Sequence, residues 1–106
     1  MTSELGPAGK LIEQGWTQYV VARDKNGLHV DAHSDNAVCW CIYGAVHKVY
    51  INNGEKKPDN ERPAISYYEA CSRLKQALGS TELSVWNDAS GRTKEEVLEV
   101  FRKAGV

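Results

Sequence analysis

Residues 35–50 read DNAVCWCIYGAVHKVY, and how they fold decides the rest of the chain. Val38, Cys41, Ile42, Ala45, Val46 and Val49 recur at intervals of three and four, the spacing of one helical face. Ser34 or Asp35 is the residue type that caps such a helix. Trp40, Tyr43 and His47 lie off this stripe, so apolar or aromatic groups face nearly every direction, as on a buried central helix. The spacing predicts a helix over 35–50. Gly44 in its middle costs about 1 kcal/mol relative to alanine, which calls for a neighbour packed too close for a methyl group.

Working outward, Trp16 to Arg23 (WTQYVVAR) is aromatic and β-branched and predicts a strand. Asp24-Lys25-Asn26-Gly27 reads as a turn, with Leu28-His29-Val30 returning as a shorter strand to complete a hairpin. Two strands alone are marginal in water, so the hairpin needs the central helix to lie against. Upstream, Pro7 suits the first turn of a short helix carrying Ala8, Leu11 and Ile12, with Gly15 as its left-handed stop. Downstream, 52–62 (NNGEKKPDNER) is a polar loop, and Lys56, Lys57 and Arg62 read as solvated charge. A third helix is expected over 63–78, with Ala64, Tyr67, Tyr68, Cys71, Leu74 and Leu78 on one face and Gly79 stopping it. Residues 80–90 read as irregular or a short helical turn. The last helix, 94–104, turns Val97, Leu98, Phe101 and Ala104 inward. The expectation is one α+β domain over 1–106, core about 8–104, with three to four helices packed around a small antiparallel hairpin.

Composition bounds the function. A chain of 106 residues has room for one core, and 42% hydrophobic with 25% charged residues is ordinary for a globular domain. Thirteen basic against fourteen acidic residues argue against a dedicated nucleic-acid binder, whose affinity comes mostly from neutralising phosphates. Three cysteines are poor material for a secreted disulfide framework, and Met1-Thr2-Ser3-Glu4-Leu5 lacks the basic and apolar regions of a signal peptide. No apolar run approaches the roughly 20 residues that span a bilayer. A cytoplasmic location without membrane attachment is expected.

The stretch 85–97 (VWNDASGRTKEEV) concentrates the chemistry. Thr93 and Glu96 fit a capping box for the last helix. Trp86, Asn87, Asp88, Arg92 and Thr93 are the candidate ligand- or partner-binding residues. Functionally, Arg92 and the first N–H groups of the helix offer a grip for phosphate or carboxylate, with Asp88 as acid, base or orienting group. Structurally, Asn87 and Asp88 make an Asx-type turn and Arg92 pairs with Asp88. Glu95 and Glu96 already occupy the positive end of the helix dipole, which weakens the anion reading.

Other constellations point to structure. Cys39 and Cys41 two apart on a helix face opposite ways and cannot share one zinc ion, and free cysteine behaves as a small hydrophobe. A thiol nucleophile needs a base within reach, and His47 lies two turns from Cys39, while His33 reaches it only by folding back. Asp31-Ala32-His33-Ser34-Asp35 alternates potential ligands, but Asp and Ser are also the residues of a strand exit and helix cap. Trp16, Trp40 and Trp86 read as core; Trp86 exposed beside Tyr43 or Tyr50 would instead make a protein-binding surface. No metal and no cofactor is expected.

Gly15-Trp16, Ala22-Arg23-Asp24 with Gly27, Ala37-Val38, Trp40-Cys41, Gly44-Ala45, Trp86-Asn87-Asp88, Gly91-Arg92-Thr93 and Glu96-Val97 together carry a resemblance. Over roughly residues 11–104 the chain resembles a family of small bacterial and phage proteins with no assigned function. The resemblance implies a single small intracellular domain and no chemistry. The functional expectation is a small non-enzymatic accessory or protein-interaction domain. The alternative is a small-ligand (anion) binding protein or modest enzyme using the Asn87-Asp88/Arg92 loop, with His47 as a possible helper. Oligomeric state is left open by the sequence.

Overall fold

The computed structural model describes residues 5–51, 65–79 and 82–106. In chain order it contains α1 (Pro7–Gln14), β1 (Ala22–Arg23), β2 (Cys39–Trp40), α2 (Ile42–Tyr50), α3 (Tyr67–Leu78), α4 (Leu83–Asn87) and α5 (Lys94–Ala104). The two strands are antiparallel, with Ala22 opposite Trp40 and Arg23 opposite Cys39. Among the described residues this is an α+β fold of five helices and one small sheet.

The helices meet along their apolar stripes. Helix α1 packs on α2 and α5, α3 on α5 and α2, and the short α4 on α2. Ile12, Ile42, Leu74, Leu83 and Phe101, one from each helix, are wholly buried in a common core. Burying a side chain of this size contributes about 2 kcal/mol. Pro7 stands in the first turn of α1, where its missing N–H costs nothing, and the Gly9 N–H donates to the Val106 carbonyl at 3.1 Å. Ser66 caps α3 by accepting from the Glu69 N–H, and Gly79 ends it in the left-handed region at φ 75°. The boundaries of α5 and its inward Val97, Leu98 and Phe101 agree with the sequence reading; Ala104 is half-buried.

The centre of the chain differs from expectation. The helix predicted over 35–50 begins only at Ile42. Residues just before it are claimed by neighbours on two sides. Val38 N–H donates to the Arg23 carbonyl, and Trp40 N–H to the Gly15 carbonyl. The Trp40 carbonyl in turn accepts from Thr17, while Cys41 N–H reaches the Val21 carbonyl. These pairings hold 38–41 extended, and Cys41 becomes the N-cap, its sulfur accepting from the Gly44 N–H at 3.3 Å. Val38, placed on the inward stripe by its spacing, is 48% exposed.

The hairpin is rearranged for the same reason. The turn at Asp24–Gly27 forms, but the strand predicted over 16–23 shrinks to Ala22–Arg23. Its partner is Cys39–Trp40; 28–30 contributes only an isolated bridge from His29 to Arg23. Tyr19, in the left-handed region at φ 75°, breaks the extended run. Gly15 is no left-handed stop: its φ of −174° is ordinary extended backbone. Its missing side chain matters because a Cβ there would collide with the Val38 carbonyl. Gly44 is lodged as its cost implied, with the Val21 carbonyl where a methyl would go. Tyr68, expected on the inward face of α3, is 82% exposed, while Ala70 takes the buried place. The expected first turn at 63–64 and the polar loop at 52–62 lie outside the described residues.

Candidate functional site

Helix α4 ends on Asn87, the one buried polar side chain among the described residues, and its amide organises the surroundings. Oδ1 accepts from Trp16 Nε1 at 2.8 Å and from the Ile42 N–H, first in α2, at 3.2 Å. Nδ2 donates to the Thr17 carbonyl at 3.2 Å and to Asp88 Oδ1 at 2.9 Å. Both lone pairs and both protons of the amide are used, which is what a fully buried asparagine requires. Beside it, Gln18 Nε2 donates to the carbonyls of Asn87 and Ala89, and the Tyr19 N–H donates to Asp88 Oδ1 at 2.9 Å. Residues 16–19 are thus pinned to 87–89 across about seventy positions of sequence.

The pinning forces Tyr19 into the left-handed region while the residue stays 68% exposed. For a bulky residue outside a glycine position this costs on the order of 1–3 kcal/mol. Next to it opens a cleft of about 300 Å³, lined by Tyr19, Val20, Val21, His29, Cys41, Tyr43, Ser84, Asn87 and Asp88. The lining is mostly apolar, and Asp88 brings to it a carboxylate. Val21 in the lining and Val85, which follows the lining Ser84 on α4, are exposed at 37% and 66%.

Arg92 does not pair with Asp88, contrary to the structural reading of the loop. The chain reverses at 89–92, with Arg92 N–H donating to the Ala89 carbonyl, and the side chain turns back over α4. Its Nε donates to the Trp86 carbonyl, its guanidinium lies 3.9 Å from the Trp86 ring centre, and Nη1 meets Glu96 Oε2 at 2.9 Å. Trp86 is therefore half-buried beneath a cation instead of standing free beside Tyr43 or Tyr50. Thr93 and Glu96 form the expected capping box, and the Thr93 backbone N–H is the chief cause holding the Glu96 carboxyl below its ordinary range. Of the five candidates, Asn87 and Asp88 belong to the cleft; Trp86, Arg92 and Thr93 form a separate brace at the start of α5.

The remaining candidates fall into structural places. Burial pushes the Cys41 and Cys71 thiols up, so both stay protonated at neutral pH. Cys39 and Cys41 stand on a strand and a cap, not on the helix assumed for them; among the described residues no three His, Cys, Asp or Glu side chains cluster to hold a metal. Asp31 Oδ1 accepts from the His33 N–H and Ser34 Oγ from the Asn36 N–H, the turn-making use. His33 does not turn to Cys39; its Nε2–H donates instead to the Ile51 carbonyl at 2.8 Å. His47 meets His33 and Tyr67 edge to face, at 5.4 and 6.0 Å between ring centres, and is not part of the cleft. Burial pushes the Tyr67 hydroxyl up to about 12. Of the three tryptophans, Trp40 is buried, with Nε1 donating to the Ala32 carbonyl. Tyr19 was missed by the sequence reading, because nothing in WTQYVVAR marks a left-handed residue; glycine, asparagine or aspartate would have.

Fold and site define a small α+β domain with a braced loop and an apolar cleft. The chain belongs to a family of unknown function, DUF6197, which it matches over residues 5–105. No curated protein and no solved structure matches it. None of the described helices is long and apolar enough to cross a membrane.

Proposed function

We propose that this chain is a non-enzymatic protein-interaction domain, and that its partner docks on the cleft beside Tyr19. The observation that supports it is Tyr19 itself: a tyrosine held in a strained conformation, 68% exposed, in the lining of an apolar cleft. Strain of this kind persists only where surrounding bonds over-determine it, and such residues cluster at ligand clamps and active sites. Exposed Val21 in the lining and Val85 next to Ser84 on α4 offer apolar surface, and an aromatic anchor among apolar contacts is how interface hot spots are built. Two of the cleft's reactive candidates favour binding over catalysis: the Cys41 thiol is held protonated, and Asn87 is saturated with hydrogen bonds. The reading moves the expected partner surface from Trp86 and Arg92 to Tyr19, Val21 and Val85, with Asp88 retained. A cytoplasmic setting and a bacterial or phage origin are part of the same proposal.

The test is affinity purification from the native host with Tyr19→Ala and Val85→Asp, followed by titration of the recovered partner against each purified variant. The Tyr68→Ala variant, altered at an exposed ring on α3, serves as control. Loss of the partner with the first two and retention with the third is expected. Equal affinity across all variants overturns the proposal.

A further inference from the structure

We infer that the group entering the cleft is a lysine side chain of the partner, its aliphatic stem along the apolar wall and its ammonium on Asp88. The inference rests on the reading of the cleft as a docking site and adds the chemistry of the occupant. Charge complementarity carries it. Asp88 Oδ1 is saturated by the Tyr19 N–H and Asn87 Nδ2, whereas Oδ2 has no hydrogen-bond partner among the described residues. The cation that the sequence supplies nearby, Arg92, is spent on Trp86 and Glu96, so Asp88 has no ion-pair partner there. Among the groups lining the cleft, only His29 is able to carry positive charge.

The shape of the site selects the cation. Val21, Cys41 and Tyr43 line the cleft together with Asp88, so one cavity offers apolar wall and a carboxylate, matching a side chain with an apolar stem and a charged head. A guanidinium gains most from a two-pronged contact with a carboxylate, and here one oxygen is already committed. An ammonium is a compact charge that can pair with one oxygen through one of its three N–H groups, and tyrosines, two of which line the cleft, attract cations.

The experiment uses n-pentylammonium, n-pentylguanidinium and n-pentanol as probes, titrated into the ¹⁵N-labelled chain while the amide signals of Val21, Tyr43 and Ser84 are followed. Asp88→Asn keeps an oxygen to accept from Tyr19 and Asn87 and replaces the unpaired Oδ2 with an uncharged NH2 group of similar size. Pentylammonium is expected to shift the cleft signals and to bind about tenfold more weakly to Asp88→Asn, a difference of about 1.4 kcal/mol. Its affinity for the native chain should also fall with added salt. Pentanol should bind more weakly than pentylammonium and ignore the substitution. Equal binding of pentanol and pentylammonium, or an unchanged ammonium affinity in Asp88→Asn, overturns the cationic occupant and leaves the docking reading standing. Tighter binding of pentylguanidinium overturns lysine in favour of arginine. No cleft shift with any probe overturns the inference, while the docking reading is judged separately by the Tyr19 and Val85 variants.

Discussion

At the scale of single residues, two side chains decide how the site is made. Asn87 joins the 16–17 segment, the start of α2 and the end of α4 through one amide. Asn87→Ala leaves Trp16 Nε1, the Ile42 N–H and the Thr17 carbonyl without that partner inside the protein. A loss of about 3 kcal/mol in urea unfolding is expected, at the upper end for single substitutions. A loss under 1 kcal/mol would show that water replaces the amide freely. Tyr19 behaves oppositely. Tyr19→Gly relieves the left-handed strain, so thermal stability should hold or rise, by up to about 1 kcal/mol, while partner affinity falls. A clear drop in melting temperature would mean that the ring supports the scaffold. The presence of a polar, conspicuous Asn87-Asp88 pair is legible in the sequence; the three-way contact of Asn87 is not, since its partners lie 45 to 71 positions away.

At the scale of elements, the balance between local propensity and contact is read most directly in α2. Alanine is a better helix former than glycine by about 1 kcal/mol, so Gly44→Ala at an open site would stabilise. Here the added methyl meets the Val21 carbonyl, a backbone atom that cannot swing aside. Destabilisation by more than about 2 kcal/mol is expected in chemical denaturation, and a stabilised variant would show that the backbone at Val21 and α2 separate easily. The brace on α5 gives a pH dependence. Thr93 holds the folded-state pKa of Glu96 below its ordinary value of 4.5, so the carboxylate stabilises the fold above that value. That contribution is lost as pH falls through the lowered value. Glu96→Gln should therefore narrow the stability difference between neutral and acidic solution relative to the native chain. Thr93→Ala should cost about 1 kcal/mol at neutral pH, measured by thermal unfolding. Both ends of α5 were legible because a capping box and the helical spacing of Val97, Leu98, Phe101 and Ala104 are local signals. The start of α2 was not, because strand and helix patterns coincide over 38–41 and long-range backbone pairing decided between them.

At the scale of the whole molecule, one core joins the five described helices, and Phe101 is the largest side chain wholly inside it. Phe101→Ala is expected to cost about 4 kcal/mol, a large share of the stability of a domain this size. Because α1, α3 and α5 share that core, loss should be cooperative, with near- and far-ultraviolet circular dichroism falling at the same denaturant concentration. Separate transitions would mean that the helices unfold as independent units. The cleft lies at the edge of this body, where the 19–21 segment and α4 flank the start of α2, so site variants can be tested without emptying the core.

The sequence by itself determined that the chain would be an α+β fold, the bounds of α5, the proline-led α1 and the cost carried by Gly44. Each of these rests on periodicity, capping or propensity, which act within a few residues. Only the tertiary structure decided that 38–41 would be extended, that Arg92 would turn away from Asp88 and that Tyr19 would be forced into the left-handed region beside a cleft. Those outcomes come from hydrogen bonds and packing between segments far apart in the chain, whose energies outweigh local preference and leave no local trace.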